Sequence, residues 1–126
     1  FCEAATFSKV HVFPYSRRKG TLADKMPNQV AEPVRQARVH ELLALSNRLS
    51  EAYHRTLVGT KAEVLLEGVA EDNADYMQGL TGTYVRTYVP KREGLVAGNL
   101  LQVVVAEATA DRIKAFEEGR FPCPAK

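Results

Sequence analysis

The second half of the chain contains four short segments that decide its fold: KAEVLLEGV (residues 61–69), YMQGL (76–80), YVRTYV (84–89) and LLQVVVA (100–106). A fifth segment, RIKAF (112–116), follows after a short polar stretch. These segments are rich in β-branched and aromatic residues, and turn-forming Gly, Asn, Asp and Pro residues separate them. Since short strands at regular spacing are typical of closed sheets, the sequence predicts a small antiparallel β-barrel.

A helical pattern precedes these strands and runs from Glu32 to Val58. Pro33 suits the first helical position, and Gly59 suits the position just past the end. The helix carries an apolar stripe, whose members recur at spacings of three and four: Val39, Leu42, Leu43, Ser46, Leu49, Ser50, Tyr53 and Leu57. We expect the large apolar side chains of this stripe to be exposed and to drive self-association, because large apolar patches seldom stay open to water. These side chains are Val39, Leu42, Leu49, Tyr53 and Leu57.

The segment before the helix divides into a strand and a loop. Residues 7–15, FSKVHVFPY, predict one strand that ends near Pro14, because proline cannot donate to a sheet ladder. Residues 16–30 show no sustained period and predict a loop. The predicted fold class is therefore mixed α+β: one N-terminal strand, a long helix and the small barrel. The predicted domains are residues 1–59 (strand, loop and helix), 60–118 (barrel) and 119–126 (a flexible tail).

Composition excludes several classes of protein. The chain has 126 residues, of which 45% are hydrophobic and 25% charged, so it is neither disordered nor of low complexity. Its longest apolar runs are far too short to span a bilayer, and we expect no membrane partner. Cys2 and Cys123 lie at opposite ends and predict two free thiols in the cytoplasm. Because Phe1 rather than Met opens the chain, we expect a segment of a longer protein.

Charge and aromatic residues point to one candidate site on the barrel. Residues 60–126 carry eight basic and ten acidic side chains, so the barrel is not basic all over. Basic and aromatic side chains nevertheless cluster in one stretch, which is typical of single-stranded RNA recognition: Tyr84, Arg86, Tyr88, Lys91 and Arg92. Tyr84, Arg86 and Tyr88 alternate and should share one face of a strand. The alternative is that these tyrosines only fill the barrel.

Three further motifs are weaker. His40 and Glu41 begin like a zinc-protease helix, but Ala44 stands where the second histidine is needed, so that site is rejected. Glu51 and His54 have the spacing of di-iron bundles, and a solvated surface is the better interpretation because only one such helix is present. The GLTG run (79–82) matches the loop of KH domains, yet its flanks predict strands and favour a hairpin turn.

A longer pattern is not explained by composition or periodicity. HVFPYSRRKGT (11–21) is followed by MPNQV (26–30), by Arg38-Val39 and by a helix that ends at Val58-Gly59. This order closely resembles the C-terminal third of the radical-SAM methylthiotransferases, in which a TRAM domain follows the long helix. The sequence of residues 11–15, HVFPY, looks most like that of the branch that modifies threonylcarbamoyladenosine in tRNA. The resemblance covers residues 7 to 89 and extends weakly to Phe116.

The resemblance implies a parent enzyme that uses S-adenosylmethionine and two 4Fe-4S clusters to add a methylthio group to the adenosine beside the tRNA anticodon. Residues 1–59 would be the end of its catalytic domain. Residues 60–118 would be the TRAM domain, a small OB-like barrel that holds the anticodon stem-loop. Tyr15 and Ser16 would face S-adenosylmethionine or substrate. RNA contacts would come from the loop and the barrel: Arg17, Arg18, Lys19, Tyr84, Arg86, Tyr88, Lys91 and Arg92.

The family's cluster-binding cysteine motif is absent from these 126 residues. We therefore expect no cofactor bound by this chain, no activity from it alone, and a partner in the catalytic half of the same protein. Two alternatives stay open. The chain could be an interaction module that docks through its long helix, or the same enzyme family could act on a ribosomal protein.

Overall fold

The computed structural model describes residues 1–120. The thiol of Cys123 and all but the first two residues of the predicted tail lie outside the described residues. Two helices precede five strands: α1 (Leu22–Lys25), α2 (Glu32–Leu57), β1 (Lys61–Ala70), β2 (Asn73–Thr81), β3 (Arg86–Pro90), β4 (Leu100–Ala108) and β5 (Ile113–Glu117). The chain divides into two compact units, residues 1–49 and the chain from Ser50 onward.

In the second unit the five strands form a closed barrel in the order β1-β2-β3-β5-β4. All neighbouring pairs are antiparallel except β3 and β5, which run parallel with Thr87 opposite Ile113 and Tyr88 opposite Lys114. The predicted barrel is confirmed, but its purely antiparallel character is wrong. In a closed ring with an odd number of strands, directions cannot alternate all the way round. At least one neighbouring pair must therefore be parallel.

The barrel interior is apolar and arises from alternation along the strands. In β1, Val64 and Leu66 are buried while Glu63 and Leu65 are exposed, as a half-buried strand requires. The larger core cluster contains Val64, Leu66, Met77, Val89, Leu101, Val103 and Ala115. A smaller cluster of Val85, Val105 and Ile113 is covered by Tyr53 and Leu57 from the last turns of α2, and by Ala108.

Tyr53 and Leu57 therefore differ from the sequence prediction, which placed them on an exposed stripe. Both are partly buried against the barrel. The stripe was predicted from the helical spacing in α2 alone. That spacing does not show that the barrel packs against the last turns of the helix. Leu42 and Leu43 remain exposed, and self-association through the stripe stays a prediction.

His54 also differs from the prediction of a solvated surface. Its side chain is buried, and its Nδ1 atom lies 2.6 Å from the carbonyl oxygen of Thr109. Because a carbonyl oxygen only accepts, Nδ1 carries the proton in this contact. The loop between β4 and β5 supplies the carbonyl, so tertiary structure rather than the helix pattern decides the burial of this histidine.

The first unit has less regular structure than predicted. Residues 7–15 do not form a strand, because no strand among the described residues pairs with them. Instead, the Ser46 hydroxyl accepts from the Val10 amide and donates to the Val10 carbonyl, both at 3.0 Å. The predicted loop contains the short helix α1, whose Thr21 side chain accepts from the Asp24 amide at 3.2 Å. Within residues 1–120, neither helix has a stretch hydrophobic enough to act as a transmembrane span.

Candidate nucleic-acid interface

The candidate residues of β3 are divided between a turn and the strand. Arg86 is exposed on β3, Thr87 and Val89 point into the barrel, and Tyr88 follows Arg86 on the outer side. Tyr84 lies before the strand, in the turn, with a backbone φ of 61° and an exposed fraction of 85%. The prediction that Tyr84, Arg86 and Tyr88 share a strand face was wrong for Tyr84, because the turn ends the alternation.

Tyr88 lies on the outer side of the barrel, yet it is only 4% exposed. Its hydroxyl donates to Asp72 Oδ1 at 2.6 Å, and the guanidinium carbon of Arg112 lies 4.3 Å above its ring. The ring of Tyr76 covers it from another direction at a centroid distance of 6.0 Å. These neighbours occupy the surface that a nucleobase would need, so Tyr88 supports the sheet rather than offering an open ring.

The contacts of Tyr88 change two pKa values. The hydrogen bond to the Asp72 carboxylate raises the pKa of Tyr88, because it favours the protonated phenol. The same bond, followed by the hydrogen bond from Arg112, lowers the pKa of Asp72. The pair is therefore held in one protonation state, neutral phenol and ionised carboxylate, over the middle of the pH range.

Arg112 and Lys114 belong to this face but were not predicted as site residues. Arg112 lies 2.6 Å from Asp72 and 2.7 Å from Asp111, and the hydrogen bond to Asp72 is the main cause of its raised pKa. Lys114 lies 2.9 Å from Glu107, whose hydrogen bond raises the pKa of the lysine. The basic side chains in RIKAF were visible in the sequence, but only the parallel pairing of β5 with β3 places them beside Tyr88.

Of the other two predicted barrel residues, Arg92 forms an ion pair and Lys91 forms none with the described residues. Arg92 is held by Glu117, with Nε at 3.0 Å and Nη2 at 2.7 Å from one carboxylate oxygen. The ammonium group of Lys91 forms no ion pair with residues 1–120, and neither does the guanidinium of Arg86. Lys91 and Arg92 also line a cavity of about 240 Å³ at the end of β3.

The β2–β3 hairpin, defined here as residues 76–92, is distinct in charge from the rest of the barrel. It contains Arg86, Lys91 and Arg92 and no Asp or Glu, whereas the start of β2, outside this range, contains Asp75, whose backbone carbonyl accepts from the Lys91 amide at 2.8 Å. Residues 60–126 as a whole have more acidic than basic side chains. Two cations without carboxylate partners among residues 1–120 and one exposed tyrosine therefore lie on a segment of net positive charge, which favours phosphate.

The first unit holds the other predicted residues. Arg17 donates to Asp24 Oδ1 at 2.8 Å, whereas Arg18 and Lys19 are exposed and form no ion pair with residues 1–120. The Tyr15 carbonyl accepts from Arg35 at 2.7 Å. Tyr15 also lines a largely apolar cavity of about 430 Å³. Ser16 is exposed and does not line that cavity.

We expect Tyr88→Phe to remove one cause of the loss of folding stability at alkaline pH. Because the folded pKa of Tyr88 is raised, its stabilising contribution is complete below the ordinary tyrosine pKa and is lost as pH rises through the raised value. Asp72 also stabilises the fold, but with the opposite pH dependence: because its pKa is lowered, its contribution is complete above the ordinary carboxyl pKa and is lost as pH falls through the lowered value. Ultraviolet absorbance of tyrosinate against pH should show that the variant lacks the last-titrating step of the tyrosines.

Asp72→Asn is the matched variant for this titration. It keeps the Tyr88 phenol but removes the carboxylate, so the raised pKa of Tyr88 should return toward the ordinary value. Circular dichroism at neutral pH would verify that both variants are folded. An alkaline titration of Asp72→Asn that is unchanged from that of the unmodified chain would contradict the assigned hydrogen bond.

No metal site is apparent in the described part of the chain. Within residues 1–120, no group of three or more His, Cys, Asp and Glu side chains is arranged to hold a metal ion. Cys2 is the only cysteine in that range, whereas an iron–sulfur cluster takes thiolates from several cysteines. The described residues do not fit such a cluster.

Comparison with known proteins identifies relatives along almost the whole chain. No protein-family model matches it. The tRNA-2-methylthio-N(6)-dimethylallyladenosine synthase of Akkermansia muciniphila is 37% identical over 124 residues, which is 98% of this chain and 26% of the relative. The threonylcarbamoyladenosine tRNA methylthiotransferase MtaB of Bacillus subtilis is 32% identical over 123 residues, 96% of this chain and 26% of the relative.

A third relative has a different substrate in its name. The ribosomal protein uS12 methylthiotransferase RimO of Pelobacter propionicus is 40% identical over 79 residues, 63% of this chain and 18% of the relative. The chain thus spans about a quarter of the length of the curated tRNA-modifying relatives it matches. All three relatives are methylthiotransferases by name or by reaction, and the helix and barrel agree with the fold expected from the sequence. The chain belongs to the methylthiotransferase family.

Proposed function

We propose that this chain is the RNA-holding part of a tRNA methylthiotransferase. In this proposal residues 60–118 are a TRAM domain that binds the anticodon stem-loop, and residues 1–59 are the end of the catalytic domain. The names of the Akkermansia and Bacillus relatives support tRNA as the substrate class. The closed five-stranded barrel after a long helix supports the assignment of the domains.

One observation carries the RNA-binding role. The β2–β3 hairpin has three basic side chains, no acidic ones and the most exposed tyrosine of the described residues, on a barrel whose other strands are mostly acidic or neutral. Charge confined to one hairpin suits a ligand with an anionic backbone and unpaired bases. Arg86 and Lys91 are the proposed phosphate contacts of the barrel, and Arg18 and Lys19 those of the first unit.

The chemistry of the parent enzyme is assigned to parts outside this chain. We propose that it transfers a methylthio group to N6-threonylcarbamoyladenosine, with S-adenosylmethionine and 4Fe-4S clusters as cofactors. Because residues 1–120 do not fit a cluster, the catalytic half of the protein would bind both cofactors, and this chain alone would be inactive. Tyr15 would belong to the substrate side, since it lines the cavity of about 430 Å³ in the first unit.

The choice of modified base rests on the resemblance of residues 11–15 to the branch that modifies threonylcarbamoyladenosine. The two relatives named as dimethylallyladenosine synthases are 37% and 32% identical to this chain, and the Bacillus threonylcarbamoyladenosine enzyme is 32% identical. A ribosomal-protein substrate is the second candidate, which the 40% identity to the Pelobacter relative favours. The chain's own RNA affinity distinguishes these classes.

Titration with RNA should show binding centred on the β2–β3 hairpin. The isotopically labelled chain would be mixed with an anticodon stem-loop RNA at low and at physiological salt, and backbone amide shifts followed by NMR. We expect shifts concentrated between Tyr84 and Arg92, and weaker binding at the higher salt because phosphate contacts release counterions. The absence of RNA binding at low salt would contradict the proposal.

A double variant makes this titration quantitative. Arg86→Gln with Lys91→Gln removes two unpaired cations and should lower the slope of log affinity against log salt by roughly 1.4, at about 0.7 for each phosphate contact to single-stranded RNA. Arg55→Gln with Lys61→Gln is the matched control. It removes the same charge from two side chains that are paired with Glu51 and Glu118, and it should leave the slope nearly unchanged.

A further inference from the structure

The turn between β2 and β3 holds Tyr84 in an unusual conformation. Its φ of 61° is in the left-handed region, which residues other than glycine rarely adopt. The ring is 85% exposed, so burial does not offset the cost of this backbone. A residue that is strained and unburied gives the fold no evident benefit, and strain of this kind collects at ligand-binding positions.

Hydrogen bonds on both sides of Tyr84 fix the turn. The Tyr84 amide donates to the Thr81 carbonyl at 2.9 Å, and the Val85 amide donates to the Thr81 hydroxyl at 3.1 Å. The hydroxyls of Thr81 and Thr83 lie 3.1 Å apart, and the Tyr53 hydroxyl donates to Thr83 at 3.4 Å. These hydrogen bonds hold the turn that presents the Tyr84 ring, and they connect it to α2 and to the barrel.

We propose that Tyr84 is a base-stacking residue, which takes one unpaired base of an RNA ligand on its exposed ring. This inference rests on the proposed function and assigns a role within it. An exposed tyrosine can also be the centre of a protein interface. RNA is favoured here because Arg86 follows two residues later without a carboxylate partner among residues 1–120, and because the hairpin has no acidic side chain.

The test compares three variants with two RNA probes. Tyr84→Leu keeps an apolar side chain without a ring and should weaken binding of an anticodon stem-loop RNA about tenfold, since one stacked base contributes roughly that factor. Tyr84→Phe keeps the ring and should bind within about twofold of the unmodified chain. A blunt RNA duplex offers no unpaired base, and its affinity should not respond to any of the variants.

Tyr84→Gly separates the ring from the backbone. Glycine adopts positive φ without strain, so this variant should melt at a higher temperature than the unmodified chain while binding the stem-loop about tenfold more weakly. A gain in melting temperature with a loss in affinity is the signature expected of a residue kept for its ligand. A lower melting temperature would instead show that the ring stabilises the fold, and would overturn the inference.

The remaining outcomes distinguish this inference from the proposed function. If the unmodified chain binds the stem-loop and Tyr84→Leu binds it equally well, the stacking role is wrong while the proposed function stands. If the chain binds neither RNA, the proposed function fails and the stacking role fails with it. If the chain binds purified ribosomal protein uS12 instead, and Tyr84→Leu weakens that complex, then Tyr84 is a protein contact.

Discussion

Gly79→Ala is expected to destabilise the barrel by about 3 kcal/mol or more, beyond the usual range for an overpacked site. Gly79 is buried in β2, opposite Leu66 on β1 and Thr87 on β3. A Cβ at this position would lie 2.9 Å from the carbonyl carbon of Leu65 and closer still to its oxygen. Because the obstacle is backbone within a ladder, the strands would have to separate or the bulge near Leu66 would have to shift.

The matched control for this prediction is Gly82→Ala, which makes the same chemical change in the same hairpin. A Cβ on Gly82 would meet no heavy atom within 4 Å. We expect its free energy of unfolding to stay within about 0.5 kcal/mol of the unmodified chain. Urea unfolding followed by circular dichroism measures both. Equal stabilities of the two variants would show that β1 and β2 do not approach as closely as described.

Ile113→Ala is expected to cost about 2 to 5 kcal/mol, the range for removing a large aliphatic side chain from a core. Ile113 is fully buried with Val85 and Val105, and Tyr53 and Leu57 of α2 pack against the same cluster. Its loss would leave a cavity where β5 meets the last turns of α2. Because total domain stability is typically about 5 to 15 kcal/mol, this change alone would bring the chain near its unfolding threshold.

Two further variants calibrate the Ile113 result. Ile113→Val deletes one methyl group and should cost only about 0.5 to 1.5 kcal/mol. Leu100→Ala removes a side chain that is 62% exposed, so we expect a loss below about 1 kcal/mol. The same urea unfolding applies to all three. A ranking in which Leu100→Ala is as damaging as Ile113→Ala would contradict the assignment of this core.

The strands were predictable from the sequence because their signals are local. The predicted strand at 61–69 became Lys61–Ala70, and the predicted helix from Glu32 to Val58 became Glu32–Leu57. The GLTG run shows the limit of such signals. Gly82 lies in the turn, as predicted, but Gly79 lies inside β2, where a close approach between strands requires glycine. That approach depends on the register of β1, which no local pattern contains.

The candidate site was only partly predictable for the same reason. Arg86, Lys91 and Tyr84 were visible as an acid-free basic and aromatic run. The burial of Tyr88 depends on Asp72 and Arg112, which are distant in sequence and meet through tertiary structure. The strand predicted at 7–15 needs a neighbour for its ladder, and none of the described residues provides one.

The parallel seam between β3 and β5 also has a consequence for the order of folding. The β1–β2 and β4–β5 hairpins join strands that are close in sequence, so each can form with a small loss of chain entropy. The seam joins strands that are separated by all of β4, and only two residue pairs connect them. Contacts of this kind raise the contact order of a domain and slow its folding. The β1–β4 pairing spans a longer stretch of sequence, but five residue pairs connect those strands. Because the β3–β5 seam has the fewer pairs to offset the entropy of closing its loop, the barrel is expected to close last along β3 and β5, after the hairpins have formed.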